Sequence, residues 1–327
     1  MPTFSSRLSH AAVRTVALAA TLVVSTVIGG CRKAAPANGQ FVVGFSQMES
    51  DNPWRIAQTA SLRAEAAKRG VTLVVTDAQG QTAKQVSDVE DLIARHVDLI
   101  LLAPREFEGL APALQSAKRA NIPVILVDRE AAGTVGSDYI TFLGSNFIEQ
   151  GNRAAEWLAK ATGGKANIVE LSLTPGSSVA RDRGEGFRQT LAKYPDMKII
   201  ASQTGDASRA KGQSVMQNIA QSLGSKITAV YAHNDEMALG AIQALKAAGR
   251  TPGKDVIVVS IDGERAALQA VVAGELGATV ESNPRFGPLA FETIDKFRKH
   301  ETIPPKIILT DRLFDKTNAA SFVSEAY

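Results

Sequence analysis

From Phe41 onward, short runs of apolar, mostly β-branched residues alternate with longer stretches whose apolar positions recur at helical spacing. The first runs are Phe41–Ser46, Val71–Thr76, Val97–Leu102, Pro123–Val127 and Tyr139–Leu143. Helices are predicted between them over Trp54–Arg69, Gln81–Arg95 and Phe107–Ala120. A helix over Asn146–Ala161 then opens a second series. Its predicted strands are Ala166–Leu173, Lys198–Gln203, Ile227–Ala232, Val256–Ile261 and Leu276–Glu281. A helix over Pro284–Lys299 and a late strand, Lys306–Leu309, close the pattern. Helices of this length between apolar strands predict parallel βαβ units. The expected architecture is therefore α/β, two parallel sheets of similar construction in tandem, each flanked by helices.

The strand before Asp128 and Arg129 organises this reading. Ile122-Pro123-Val124-Ile125-Leu126-Val127 has the unbroken apolar character of a strand buried on both faces. A charged pair directly after such a strand lies where open α/β sheets bind ligands. Other strands also end in polar residues: Ser46-Gln47, Thr76-Asp77, Gly205-Asp206, His233-Asn234-Asp235 and Asp262-Gly263. Strand ends of one parallel sheet share an edge, so two facing sheets would make a cleft with polar rims. Asp77 and Asp235 have a simpler reading as caps of the helices that follow them.

The amino terminus departs from the pattern. Arg7 and Arg14 precede an apolar or small stretch, Val16–Ile28, with no acidic residue among the first thirty. This predicts a secretory signal peptide over residues 1–30 rather than a membrane span. Ile28-Gly29-Gly30-Cys31 resembles the lipoprotein box of bacteria, which would lipidate Cys31, the only cysteine in the chain. Ordinary cleavage after Ala35-Pro36-Ala37 is the rival reading. Residues 31–40 read as a tether. Removing the first thirty residues leaves 34 basic against 33 acidic residues, a net charge of +1. Near-neutrality gives no electrostatic case for a nucleic-acid partner. The hydrophobic fraction of 45% fits a globular protein.

Machinery for catalysis is not legible. The four histidines (His10, His96, His233, His300) and Cys31 have no metal-ligand spacing, so neither a metal nor a cofactor is expected. There is no phosphate-cradling loop after the first strand and no nucleophile elbow. Ser208-Arg209-Ala210-Lys211 fits S-x-x-K, but without companion motifs. The expectation is a binding protein and not an enzyme.

Five stretches carry a family likeness: Asp51-Asn52-Pro53-Trp54-Arg55, Val127-Asp128-Arg129, Ser178-Val179-Ala180-Arg181-Asp182-Arg183-Gly184, Ala232-His233-Asn234-Asp235-Glu236-Met237-Ala238 and Ile261-Asp262-Gly263. In this order and spacing the chain resembles the sugar-binding proteins of bacterial ABC transporters, the ribose/galactofuranose-binding type I family. Gly44-Phe45-Ser46-Gln47 and Trp54-Arg55 resemble its galactofuranose-binding branch more than its ribose-binding one. The likeness runs from about Phe41 to Leu309.

The resemblance implies two lobes joined by three hinge crossings, near Gly144-Ser145, Ser282-Asn283 and Pro304-Pro305. Lobe boundaries of 41–144 plus 284–304 and 145–282 plus 305–327 follow. It implies a periplasmic monomer that captures a monosaccharide and delivers it to an ABC permease, held to the membrane through Cys31 if that residue is lipidated. A sugar-presenting subunit for a chemoreceptor or sensor kinase is the alternative. The implied ligand residues are Asp51, Asn52, Trp54, Arg55, Asp128, Arg129, Asn146, Arg183, Asn234 and Asp262. Carboxylates accept from sugar hydroxyls, guanidiniums donate, and an indole covers the apolar ring face. Ala207 stands where the resemblance leads one to expect an aromatic residue. Phe45 or Phe142 is a substitute for that face, or else part of the core.

Overall fold

A computed structural model describes residues 40–327. The expected signal peptide, Cys31 and nearly all of the expected tether lie outside the described residues. The chain opens with strands β1 (Val42–Gln47), β2 (Thr72–Asp77), β3 (Leu99–Leu102), β4 (Val124–Val127) and β5 (Phe142–Ser145). Between the first four run helices α1 (Pro53–Lys68), α2 (Thr82–Ala94) and α3 (Ala111–Arg119). The second series is α4 (Phe147–Thr162), β6 (Lys165–Ser172), α5 (Ser178–Leu191), β7 (Asp196–Thr204), α6 (Arg209–Leu223), β8 (Ala229–Ala232), α7 (Asp235–Ala247), β9 (Ile257–Asp262), α8 (Arg265–Val272) and β10 (Ala278–Glu281). Helix α9 (Gly287–Arg298), strands β11 (Lys306–Leu309) and β12 (Leu313–Asp315), and a short helix α10 (Ala319–Phe322) finish the chain.

Each sheet has six strands, in the orders β11-β5-β4-β3-β1-β2 and β12-β10-β9-β8-β6-β7. Pairing is parallel throughout, except that β12 runs antiparallel to β10. All four residues of β4 are buried, as a strand covered on both faces requires. Among the described residues no helix is long and apolar enough to cross a membrane.

The expected boundary at Pro304-Pro305 moves. Strand β11 pairs with β5, Lys306 opposite Phe142 and Leu309 opposite Ser145, so residues 306–309 belong to the first sheet. Ile307 and Leu309 pack against that lobe's core, to which Phe291 and Ile294 of α9 also belong. The third crossing is thus Thr310-Asp311-Arg312, followed by β12 in the second sheet. Strand β12 was not legible because only three residues, Leu313-Phe314-Asp315, form it.

Among the described residues, contacts between the rims join the lobes on the cleft side. The Phe107 amide donates to the Gly176 carbonyl (2.9 Å), and the Glu130 amide donates to Ser178 Oγ (3.0 Å). The Arg181 guanidinium lies 4.9 Å from the Phe107 ring centroid. The two rims therefore meet.

Candidate ligand-binding cleft

Chain geometry brings the strand tips together. Asp128 follows β4, Asn234 follows β8, and Asp262 ends β9. Arg183 reaches in from α5, while Trp54 and Arg55 project from the first turn of α1. A narrow cavity between the sheets is lined by these residues and by Asn52 and Arg129.

Asp128 is the hub of the first lobe's contribution. Its Oδ2 lies 2.7 Å from Arg55 Nη2 and 3.7 Å from Arg129 Nε. Arg55 Nη1 also donates to Gln58 Oε1 (3.1 Å), and Arg129 Nη1 donates to the Arg105 carbonyl (3.1 Å). Arg129 Nε is buried and has no hydrogen-bond partner among the described residues. Burial, with Arg55 close by, holds the Arg129 pKa down to about 10. Arg129 thus lines the cavity with a buried, unpartnered Nε beside the Asp128 carboxylate.

Arg183 is the hub of the second. Its Nε donates to Gln150 Oε1 (2.9 Å), Nη1 donates to the His233 carbonyl, and Nη2 lies 3.3 Å from Asp262 Oδ1. Burial raises the Asp262 carboxyl well above its usual range, opposed by Arg183 and reinforced by Asp235 and Asp128. Asp128 and Asp262 both hold positive φ, 66° and 142°. Such conformations are strained for residues other than glycine and concentrate at functional sites.

Two polar residues both cap a helix and line the cavity. Asn52 Oδ1 accepts from the Arg55 amide at the start of α1 (3.0 Å), and Asn234 Oδ1 accepts from the Met237 amide at the start of α7 (3.0 Å). The cap expected of Asp235 is therefore made one residue earlier. Asp235 is instead fully buried, accepting from Ser260 and Thr279 hydroxyls and from the Gly263 and Glu264 amides. Trp54 Nε1 donates to the Ser282 carbonyl at the second crossing (2.7 Å), which fixes the indole against the cavity wall.

Two expected ligand residues lie elsewhere. Asp51 is exposed and lines an outer polar cavity with Gln79, Arg105 and Lys211. Asn146 caps α4, its Oδ1 accepting from the Glu149 amide (3.1 Å), and does not line the cavity. Asn52, one residue beyond Asp51, faces the cavity in its place, and Asn146 is exposed at the start of α4 outside the cavity lining. Phe45 and Phe142 are buried in the cores and do not reach the cleft, whereas Ala207 does line it. Sequence reasoning missed Glu49, Leu173, Val179 and Ser282 as lining residues. Glu49 lies two residues beyond β1, so extending the strand-tip rule would have found it. Leu173 and Val179 gave no signal because apolar residues at a polar rim read as core.

Residues 43–297 match the family model described as the periplasmic binding protein domain. The chain is 42% identical over 290 residues to the galactofuranose-binding protein of Escherichia coli (strain K12), covering 88% of this chain and 90% of that one. It is 37% identical over 268 residues to the ribose import binding protein of Bacillus subtilis (strain 168), covering 80% and 84% respectively. Its fold is similar to the binding protein of the arabinose ABC transporter of Shewanella sp. ANA-3, solved with α- and β-L-arabinofuranose. That comparison has a TM-score of 0.84 at 41% identity over 87% of this chain and 95% of the other.

Proposed function

The chain belongs to the periplasmic binding protein domain family, and from that membership we propose that it is an extracytoplasmic receptor for a monosaccharide. The ligand is galactofuranose or a related pentose or hexose, delivered to an ABC permease. The observation that carries this reading is the convergence of Asp128, Arg129 and Arg55 from one sheet with Arg183, Asn234 and Asp262 from the other on one cavity. The lining holds three arginines (Arg55, Arg129, Arg183) and three acids (Glu49, Asp128, Asp262), a balance that favours a neutral polyol over a charged ligand. Trp54, Leu173 and Val179 supply apolar surface for ring C–H groups.

Capture works by stabilising lobe closure, because only the closed form lets both rims touch one ligand. Hydrogen bonds to charged partners contribute roughly 1.5–3 kcal/mol each. Four or five of them, less ordering and desolvation, support affinity of about micromolar or tighter. The named relatives are binding proteins, which supports a role in binding over catalysis. Periplasmic residence as a monomer, with lipidation at Cys31, completes the proposal. Calorimetric titration with galactofuranose, arabinose, ribose, galactose and fructose tests it. We expect saturable binding of at least one, and no heat from any of them would overturn the reading.

A further inference from the structure

Gln150, on the second turn of α4, is buried and does not line the cavity, yet every polar atom of its side chain is bonded. Oε1 accepts from Arg183 Nε (2.9 Å). Nε2 donates to Asp311 Oδ2 (2.8 Å) and to the Glu281 carbonyl (3.2 Å). Those partners are not neighbours in sequence. Glu281 ends β10 at the second crossing, and Asp311 sits in the third. The first crossing joins the same knot, since Ser145 Oγ donates to Asp311 Oδ1 (3.1 Å). Arg153 Nη1 donates to the Asp311 carbonyl, and Arg312 makes a two-pronged pair with Glu281, at 2.8 and 2.7 Å. All three segments that must rotate when the lobes open are thus tied, through one amide, to the arginine that faces the ligand.

We propose that Gln150 is a positioning residue that couples ligand contact at Arg183 to the hinge, so that the three crossings adopt the closed geometry when Arg183 is engaged. The physical case is one of satisfiability. A buried amide has fixed donors and an acceptor, and leaving one unpaired is unfavourable. If the crossings swing, Gln150 must give up Asp311 or Glu281, or else turn and release Arg183. Rotation about the hinge and the pose of Arg183 therefore cannot change independently. This inference rests on the proposed function, since it takes a ligand in the cleft as the trigger.

The test compares wild type with Gln150→Leu, which keeps bulk and removes all three bonds. Spin labels are placed through Glu90→Cys and Lys193→Cys, both exposed and one on each lobe, in a Cys31→Ser background. Interlobe distances and calorimetric affinity are measured with L-arabinose and D-galactose as probes. Wild type should shift to the short distance on saturation. The leucine variant should retain a long-distance population at saturating sugar, and its apparent Kd should rise roughly 5- to 150-fold, the range of couplings between distinct sites. A leucine variant that closes fully at saturation overturns the coupling, whatever its Kd. Should it fail to fold, Gln150→Met is read in the same way. A wild type that neither binds nor closes with these two sugars, nor with galactofuranose, ribose or fructose, removes the proposed function instead, so the two failures are distinct.

Discussion

Replacing Asp128 with asparagine tests the cavity with less disturbance of its frame than alanine would cause, although it too removes the charge that pairs with Arg55 and Arg129. Alanine would confound the result. It would strip the carboxylate from between Arg55 and Arg129, whose side chains are 5% and 4% exposed. Breaking a buried pair in this way costs about 3–5 kcal/mol of stability, so weak binding would be hard to separate from unfolding. Asparagine keeps the shape and tolerates the φ of 66° found at this position. What it loses is charge. A hydrogen bond to a charged group contributes about 1.5–3 kcal/mol, one between neutral groups about 0.5–1.5 kcal/mol. Two sugar hydroxyls donating to Asp128 would therefore lose about 2–3 kcal/mol together, a roughly 30- to 150-fold rise in Kd. Calorimetry against the sugar that wild type binds measures this, with a thermal melt to confirm folding. A folded asparagine variant with wild-type affinity would show that Asp128 does not touch the ligand.

Three further outcomes are expected. Trp54 fluorescence should shift on ligand addition, and Trp54→Phe should abolish the change. A shift that persists would have to come from Trp157, whose indole bonds Asp315 away from the cleft. Burial pushes the Asp311 carboxyl up to about 6 from 3.8, opposed by Gln150 and Ser145. The charged form is therefore disfavoured in the fold, and the associated stability is present below pH 3.8 and lost as pH rises through 6. Asp311→Asn should accordingly gain up to about 3 kcal/mol over wild type above pH 6, fading below pH 4, in denaturant melts; a constant difference across that range would refute the assignment. Glu170 behaves oppositely. Burial would raise it, but His233, Arg188 and Ser202 donate to it and bring it down to about 2. Its contribution is present above pH 4.5 and lost as pH falls through 2, so Glu170→Gln should destabilise by about 3 kcal/mol at neutral pH and converge with wild type in acid. Melts that stay parallel down to pH 2 would contradict this.

Much of the molecule follows from local pattern. The alternation of apolar runs and helical stretches dictates parallel βαβ units, because only burial on both faces suits a strand such as Val124–Val127. The polar tips Asp128, Asn234 and Asp262 were legible for the same reason, since strand ends share an edge whatever the details of packing. Other features required the assembled fold. Whether Lys306–Leu309 joins the first sheet or the second depends on which edge strand is free to pair, and β5 is distant in sequence. Asn146 and Asp51 carry ligand-like chemistry, yet both are exposed outside the cavity lining. The knot of Ser145, Gln150, Glu281 and Asp311 had no sequence signature at all. Hydrogen bonds among segments more than one hundred residues apart leave no periodicity, and only three-dimensional closure sets them within reach.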